Sequence, residues 1–180
     1  VEITMRNLTC LLLAGGLLLG AAARADEPPA HPKNWTAPAG KIAAQAIADK
    51  IMAAHPELIS VTFHGVPPGT AEGTYTMFAG SYPERIGNVD DPDDVDIQKL
   101  GITILDPRWH RTKDTVKKVV VMTPLRDKAD ENIGELVLAY KADGAYAKSE
   151  AAYFLAGTQL RDSLKPEIAS LAGLFAPFPF

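Results

Sequence analysis

The sequence predicts an α+β domain, an antiparallel sheet of about five strands flanked by an N-terminal and a C-terminal helix. Three observations carry this. Apolar residues recur at helical spacing near both ends, over 41–55 and 148–165. Between them lie five short runs with strand patterning. Turn residues join those runs closely, and strands grouped with tight connections favour one antiparallel sheet carrying helices.

Taken in order, the first helix places Ala43, Ile47, Ile51 and Ala54 on one face and Lys41, Gln45 and Asp49 on the other, and it ends at His55-Pro56. A residue before proline is pushed out of the helical region. Ile59, Val61 and Phe63 then alternate with Ser60, Thr62 and His64, which predicts a half-buried strand with a polar second face. Gly65-Val66-Pro67-Pro68-Gly69 is turn chemistry, and 74–81 resumes a strand. Asp91 as N-cap, Pro92 at the first helical position and acids in the first turn predict a short helix to about Leu100. Gly101–Leu105 reads as a short strand and 106–114 as a polar connection. Val116–Thr123 is apolar on both faces and therefore central, 124–132 is a turn, and Ile133–Lys141 is the last strand. The final helix carries Tyr153, Gly157, Leu160 and Leu164 on one stripe and is interrupted at Pro166.

The chain has 180 residues, 47% hydrophobic and 22% charged, the composition of one ordinary globular domain. With 18 Lys and Arg against 22 Asp and Glu it is mildly acidic, so neither nucleic acid nor an anionic membrane is an expected partner. Met5-Arg6, the apolar run 11–23 and Ala23-Arg24-Ala25 have the layout of a secretory signal peptide, cut after Ala25. The run is too short to span a membrane. Its removal takes away Arg6, Arg24 and Glu2, leaving 16 basic and 21 acidic residues and a formal charge of −5. The single cysteine, Cys10, goes with it, so the mature chain forms no disulfide. The expected organisation is a signal peptide (1–25), a Pro-rich exposed linker (26–40), the domain (41–174) and a Phe/Pro tail (175–180). The expected product is a soluble periplasmic or secreted protein without a membrane anchor.

Three stretches together point to a family: His64-Gly65-Val66-Pro67-Pro68-Gly69; Tyr82-Pro83-Glu84-Arg85-Ile86-Gly87-Asn88 with the acidic run 90–96; and Val119–Asp127 followed by Asn132-Ile133-Gly134-Glu135-Leu136-Val137-Leu138. Over roughly residues 41–141 the chain resembles extracytoplasmic PAS-like sensor domains of the Cache type, in which a "P-L-x-D … I-G-x-L" hairpin joins the last two strands. The resemblance implies a PAS/Cache-like sheet with a small ligand held between the sheet and the loops and short helix over one face. It also implies a sensor role, dimerisation through the N-terminal helix, and a membrane receptor as partner, since the usual signalling module is not in this sequence.

The catalytic motifs of hydrolases, zincins, P-loops and dinucleotide folds are missing, so no enzyme activity, cofactor or metal is expected. His31, His55, His64 and His110 share no short spacing that would signal zinc. His64 lies with Ser60 and Thr62 on the polar face of its strand, where it either hydrogen-bonds a ligand or is satisfied within the core. The run 90–96 lacks the glycine and glutamate of an EF-hand and reads as a helix start rather than a calcium loop. Arg85 either pairs with those acids or clamps a carboxylate. Tyr75 and Met77 on one strand face, and Met122 beside Val120, line a pocket or are plain core. Arg108-Trp109-His110-Arg111 is a cationic, aromatic cluster able to hold an anion or planar group. The ligand contacts expected are therefore His64, Tyr75, Arg85, His110 and Met122. The tail with Phe175, Phe178 and Phe180 folds back or offers a handle to a partner. The leading reading is an exported small-molecule-binding domain without catalysis; the alternatives are a ligand-free protein-interaction module and a haem- or metal-handling protein.

Overall fold

The computed structural model describes residues 31–108 and 116–178. The signal peptide, the start of the linker, Trp109, His110, Arg111 and Phe180 lie outside the described residues. The elements are α1 (Ala43–Ala54), β1 (Leu58–Gly65), β2 (Thr76–Gly80), α2 (Pro92–Leu100), β3 (Ile104–Pro107), β4 (Lys118–Arg126), β5 (Asn132–Lys141), α3 (Glu150–Leu164) and α4 (Leu171–Leu174). The strands form one antiparallel sheet in the order β2-β1-β5-β4-β3. The α+β class and the element order follow the sequence pattern.

Strand alternation sorts the side chains onto two unequal faces. Val61 and Phe63 of β1, Val119, Val121 and Leu125 of β4, and Leu136, Leu138 and Tyr140 of β5 form the main core with Ile51, Tyr153 and Leu174 of the helices. The opposite face carries a smaller cluster of Val120, Met122, Ala139 and Ile97, with Ile59, Ile104 and Val137 beside it. α1 and α3 cover the first face; α2 covers only part of the second.

The burial of β1, the start of β3 and the end of β4 differ from the sequence reading, each for a local reason. β1 is not half-buried: Ser60, Thr62 and His64 are buried along with its apolar residues, because α2 and the segment before it roof the polar face. Gly101 adopts φ 66° as the C-cap of α2, so β3 begins only at Ile104. Pro124 is not in the turn but inside β4; it lies beyond Met122, the last β4 residue paired with β3, so its missing N–H interrupts no ladder on that side. The turn proper begins at Asp127, whose Oδ1 accepts hydrogen bonds from the N–H groups of Ala129 (2.8 Å) and Glu131 (3.1 Å).

The Pro-rich segment is exposed but not a free linker. Its N–H and carbonyl groups pair with the loop after β2, through Asn34 N–H to Gly87 O (2.9 Å) and Val89 N–H to Pro32 O (2.9 Å). Trp35 meets Phe175 edge-on, with ring centroids 5.7 Å apart. The tail folds back to the same place: Phe175 lies 4.6 Å from the Phe78 ring, and the backbone closes onto α1's start through Ala43 N–H to Ala176 O and Phe178 N–H to Lys41 O.

α3 starts at Ser149, whose hydroxyl caps the Ala152 N–H, and Tyr153 anchors it by donating from its hydroxyl to Tyr146 O at 2.7 Å. Gly157 lets this helix touch β4, since a Cβ there would sit 2.6 Å from Val121 Cγ1. Gly157→Val is expected to destabilise the fold by about 1–3 kcal/mol through overpacking. Thermal melts check this; an unchanged Tm would mean that α3 lifts from β4 without cost.

Candidate functional site

On the half-covered face, the sheet and the chain between β2 and α2 enclose a cleft of about 210 Å³. Its floor is Thr62 and His64 from β1, Val120 and Met122 from β4, Val137 from β5 and Met77 from β2. Asn88, Val89, Asp90, Asp91, Asp93 and Asp94 form one wall; His31, Arg85 and Arg108 stand around the mouth.

Backbone pairing builds that wall. After β2 the chain makes a 3-10 turn at Pro83–Arg85 and then runs back along β2, with Gly87 N–H to Met77 O (2.8 Å), Met77 N–H to Asn88 O (3.2 Å) and Asp90 N–H to Tyr75 O (3.2 Å). The outer edge of the sheet is thus covered and the acidic run is held against His64. α2 then starts from Asp91, with Pro92 in its first turn and the Asp91 N–H bonded to Asp94 Oδ2 at 3.1 Å in a capping box. The acids therefore serve the helix start, as their pattern predicts, and also line the cleft.

The polar network inside is continuous. His64 Nδ1 lies 2.7 Å from Asp90 Oδ1 and 3.9 Å from Asp94 Oδ2, while its Nε2 is 2.8 Å from Thr62 Oγ1. Gln98 donates from Nε2 to the other Asp90 oxygen at 2.6 Å. Burial disfavours the charged imidazolium, but the Asp90 carboxylate outweighs it, so the His64 pKa is raised. Burial, reinforced by Asp90 and Asp93 against the opposing pull of His64, also raises that of Asp94. Glu135 sits directly opposite His64 in the β1–β5 register. It is 0% exposed, and neither of its carboxyl oxygens has a hydrogen-bond partner. Burial first, then the negative charge of Asp94, Asp90 and Asp93, pushes its pKa up to about 11. In two combinations, His64 with Asp90 and Asp94, and Asp91 with Asp93 and Asp94, donor atoms lie within 4.8 Å of one another, close enough to share a cation.

Of the ligand contacts expected from the sequence, His64, Arg85 and Met122 meet in this cleft, with Met77 and Arg108 beside them. Arg85 does not pair with the acidic run; its guanidinium stacks 4.5 Å over the Tyr82 ring and lies 3.9 Å from Glu84. Tyr75 is elsewhere: β2 begins only at Thr76, so strand alternation does not reach it, and it lines a separate cleft with Gln98, Asn132 and Leu171. Lys99 lies 5.2 Å above its ring. His110 lies outside the described residues, although its neighbour Arg108 stands at the mouth, paired with Asp106 at 2.7 Å. Two residues escaped the sequence reading. His31 is carried in by the strap, which its proline content disguised as a linker. Glu135 was visible in principle, as an acid in phase with Val137 and Ala139 on a strand that is otherwise apolar on both faces.

No family model matches the chain, and no curated protein matches it. Several solved structures superpose on it. A type II free methionine-R-sulfoxide reductase from Thermoplasma acidophilum aligns at 15% identity over 70% of this chain and 92% of its own, with a TM-score of 0.44. The DcuS sensor domain of E. coli aligns at 17% identity over 66% and 71%, with a TM-score of 0.37. The GAF domain of a two-component sensor histidine kinase from Bacillus halodurans aligns at 16% identity over 71% and 95%, with a TM-score of 0.46. Likeness of this degree, all below a TM-score of 0.5, says nothing of ligand or activity.

Proposed function

We propose that this chain is an exported, sensor-like domain that binds a small molecule in the cleft between the sheet and the segment 85–94. Binding proceeds by hydrogen bonding and burial, without a covalent step. One observation carries the reading: the cleft lies between one sheet face and the acidic loop with its short helix, where the resemblance to Cache-type sensor domains implies a ligand. Its composition also suits one, with an apolar floor of Met77, Val120, Met122 and Val137 and a few convergent polar groups. A face packed solid would instead have favoured a ligand-free interaction module.

Asp91 and Asp93 on the wall favour a cationic group on the ligand, and Arg85 at the mouth favours an anionic or polar group at its other end. His64 and Met122 contact it from the floor. Tyr75 serves the neighbouring cleft, and His110, the remaining contact expected from the sequence, lies outside the described residues. A membrane receptor is the natural partner of such a domain, with the homodimer formed through α1. Among the described residues no helix is long and apolar enough to cross a membrane.

Native mass spectrometry of the purified chain and thermal-shift screening against small polar metabolites, both in excess chelator, test this. A bound organic mass or a saturable rise in Tm is expected, and Arg85→Ala and Met122→Trp should weaken it at least about tenfold, about 1.4 kcal/mol. No bound mass and no shift across the screen would overturn the proposal.

A further inference from the structure

We propose that His64, Asp90 and Asp94 of the cleft, joined by the neighbouring Glu135 of β5, form a binding site for one divalent first-row transition-metal cation. Three of these residues already converge: the His64 Nδ1 distances to Asp90 and Asp94 are 2.7 and 3.9 Å, and all three donors lie within 4.8 Å. Donors around a cation at bond lengths of about 2.1 Å stand about 3.4 Å apart, so His64, Asp90 and Asp94 need only small side-chain shifts, and Glu135 joins them by turning its carboxyl toward Asp94.

Glu135 is the independent observation. An acidic cluster at a helix start is explained by the helix, but Glu135 belongs to β5 and caps nothing. It is fully buried, with no hydrogen bond made to either oxygen, on the face that α2 covers, beside the Asp94 carboxyl and with Asp90 and Asp93 as further charged neighbours. Leaving a buried carboxyl without a donor costs a few kcal/mol. The charges that act on Glu135 are the carboxylates of Asp94, Asp90 and Asp93, while Arg85 and Arg108 stand at the mouth beside Glu84 and Asp106. A bound cation supplies the missing partner and balances three carboxylates at once.

The surrounding groups orient the donors as metal sites require. Thr62 Oγ1, at 2.8 Å from Nε2, can accept its proton and so fix the tautomer whose Nδ1 lone pair faces the carboxylates. Gln98 holds one Asp90 oxygen and leaves the other inward, and the Asp91 N–H fixes Asp94 Oδ2, the oxygen that faces His64 Nδ1. Binding replaces the Nδ1 contact with Asp90 and displaces the protons held at Nδ1 and on the carboxyls, without redox change. An imidazole among carboxylates suits Zn²⁺ or Mn²⁺ better than Ca²⁺ or Mg²⁺.

The test uses the purified chain stripped by chelator and titrated calorimetrically with Zn²⁺, Mn²⁺ and Ca²⁺, without metabolite. One equivalent of Zn²⁺ or Mn²⁺ should bind with a Kd below about 100 μM, Ca²⁺ at least about tenfold more weakly. Glu135→Gln and His64→Gln should each weaken binding at least about tenfold while circular dichroism stays native. No saturable binding of Zn²⁺ or Mn²⁺, or binding that Glu135→Gln leaves unchanged, overturns the site. Because the metabolite screen contains chelator and this titration contains no metabolite, either result stands without the other.

Discussion

Glu135→Gln is expected to raise the stability of the metal-free protein at pH 8 and to flatten its dependence on pH. In the folded chain the Glu135 carboxyl keeps its proton to about pH 11, against 4.5 for the ordinary group. A raised folded pKa contributes stability that is fully present below the unfolded value and is lost as pH rises. Between the two values the unfolded chain binds one proton fewer, so stability falls by about 1.4 kcal/mol per pH unit. His64 acts in the same direction, its contribution present below 6.5 and lost as pH climbs through its raised folded pKa. Asp94, also raised, adds to the trend above 3.8. The lowered carboxylates, Asp49, Glu57, Asp130 and Asp162, act oppositely, losing their contribution as pH falls through their folded pKa values, but they lie at the surface, where screening keeps such effects small. The wild type should therefore be most stable in mild acid. Glutamine keeps the shape of the side chain and cannot ionise, so the variant should gain a few kcal/mol at pH 8 and nothing near pH 4.5. Urea unfolding of both proteins at several pH values checks this, and parallel stability curves would show that Glu135 keeps its charge in a solvated niche.

Removing residues 175–180 should lower the melting temperature rather than abolish association. The Phe175 ring lies against Phe78 and Trp35, and the tail closes two backbone hydrogen bonds onto the start of α1. Losing a half-buried Phe and those bonds costs about 3 kcal/mol, a fall of roughly 6–12 °C for a domain of this size. Truncation also unseats Trp35, and with it the strap that carries His31 to the cleft mouth, so metabolite binding should weaken. Differential scanning calorimetry of the truncated chain decides it. An unchanged Tm with lost self-association would instead mark the tail as a handle for a partner.

Local patterns determined much of this protein. The period of apolar residues placed α1, α3 and the five strands, since a helix or strand must turn a continuous face inward wherever it packs. The Asp-Pro-Asp-Asp run set the start of α2 because its side chains satisfy the helix's own first N–H groups, a purely local requirement. His64, Arg85 and Met122 were recognisable as candidates from strand phase and the family resemblance. What only the tertiary structure decided was every property that depends on what covers a face. Alternation makes Ser60, Thr62 and His64 share a side of β1, but whether that side meets water or α2 depends on a loop returning along β2. The same return converts Glu135 from one more strand acid into a buried, unpartnered carboxyl beside Asp94, and it separates Tyr75 from Met77. A residue's partners in sequence are set by covalent spacing, whereas its charge and solvation are set by groups brought close from distant parts of the chain, and those groups give this cleft its polar network.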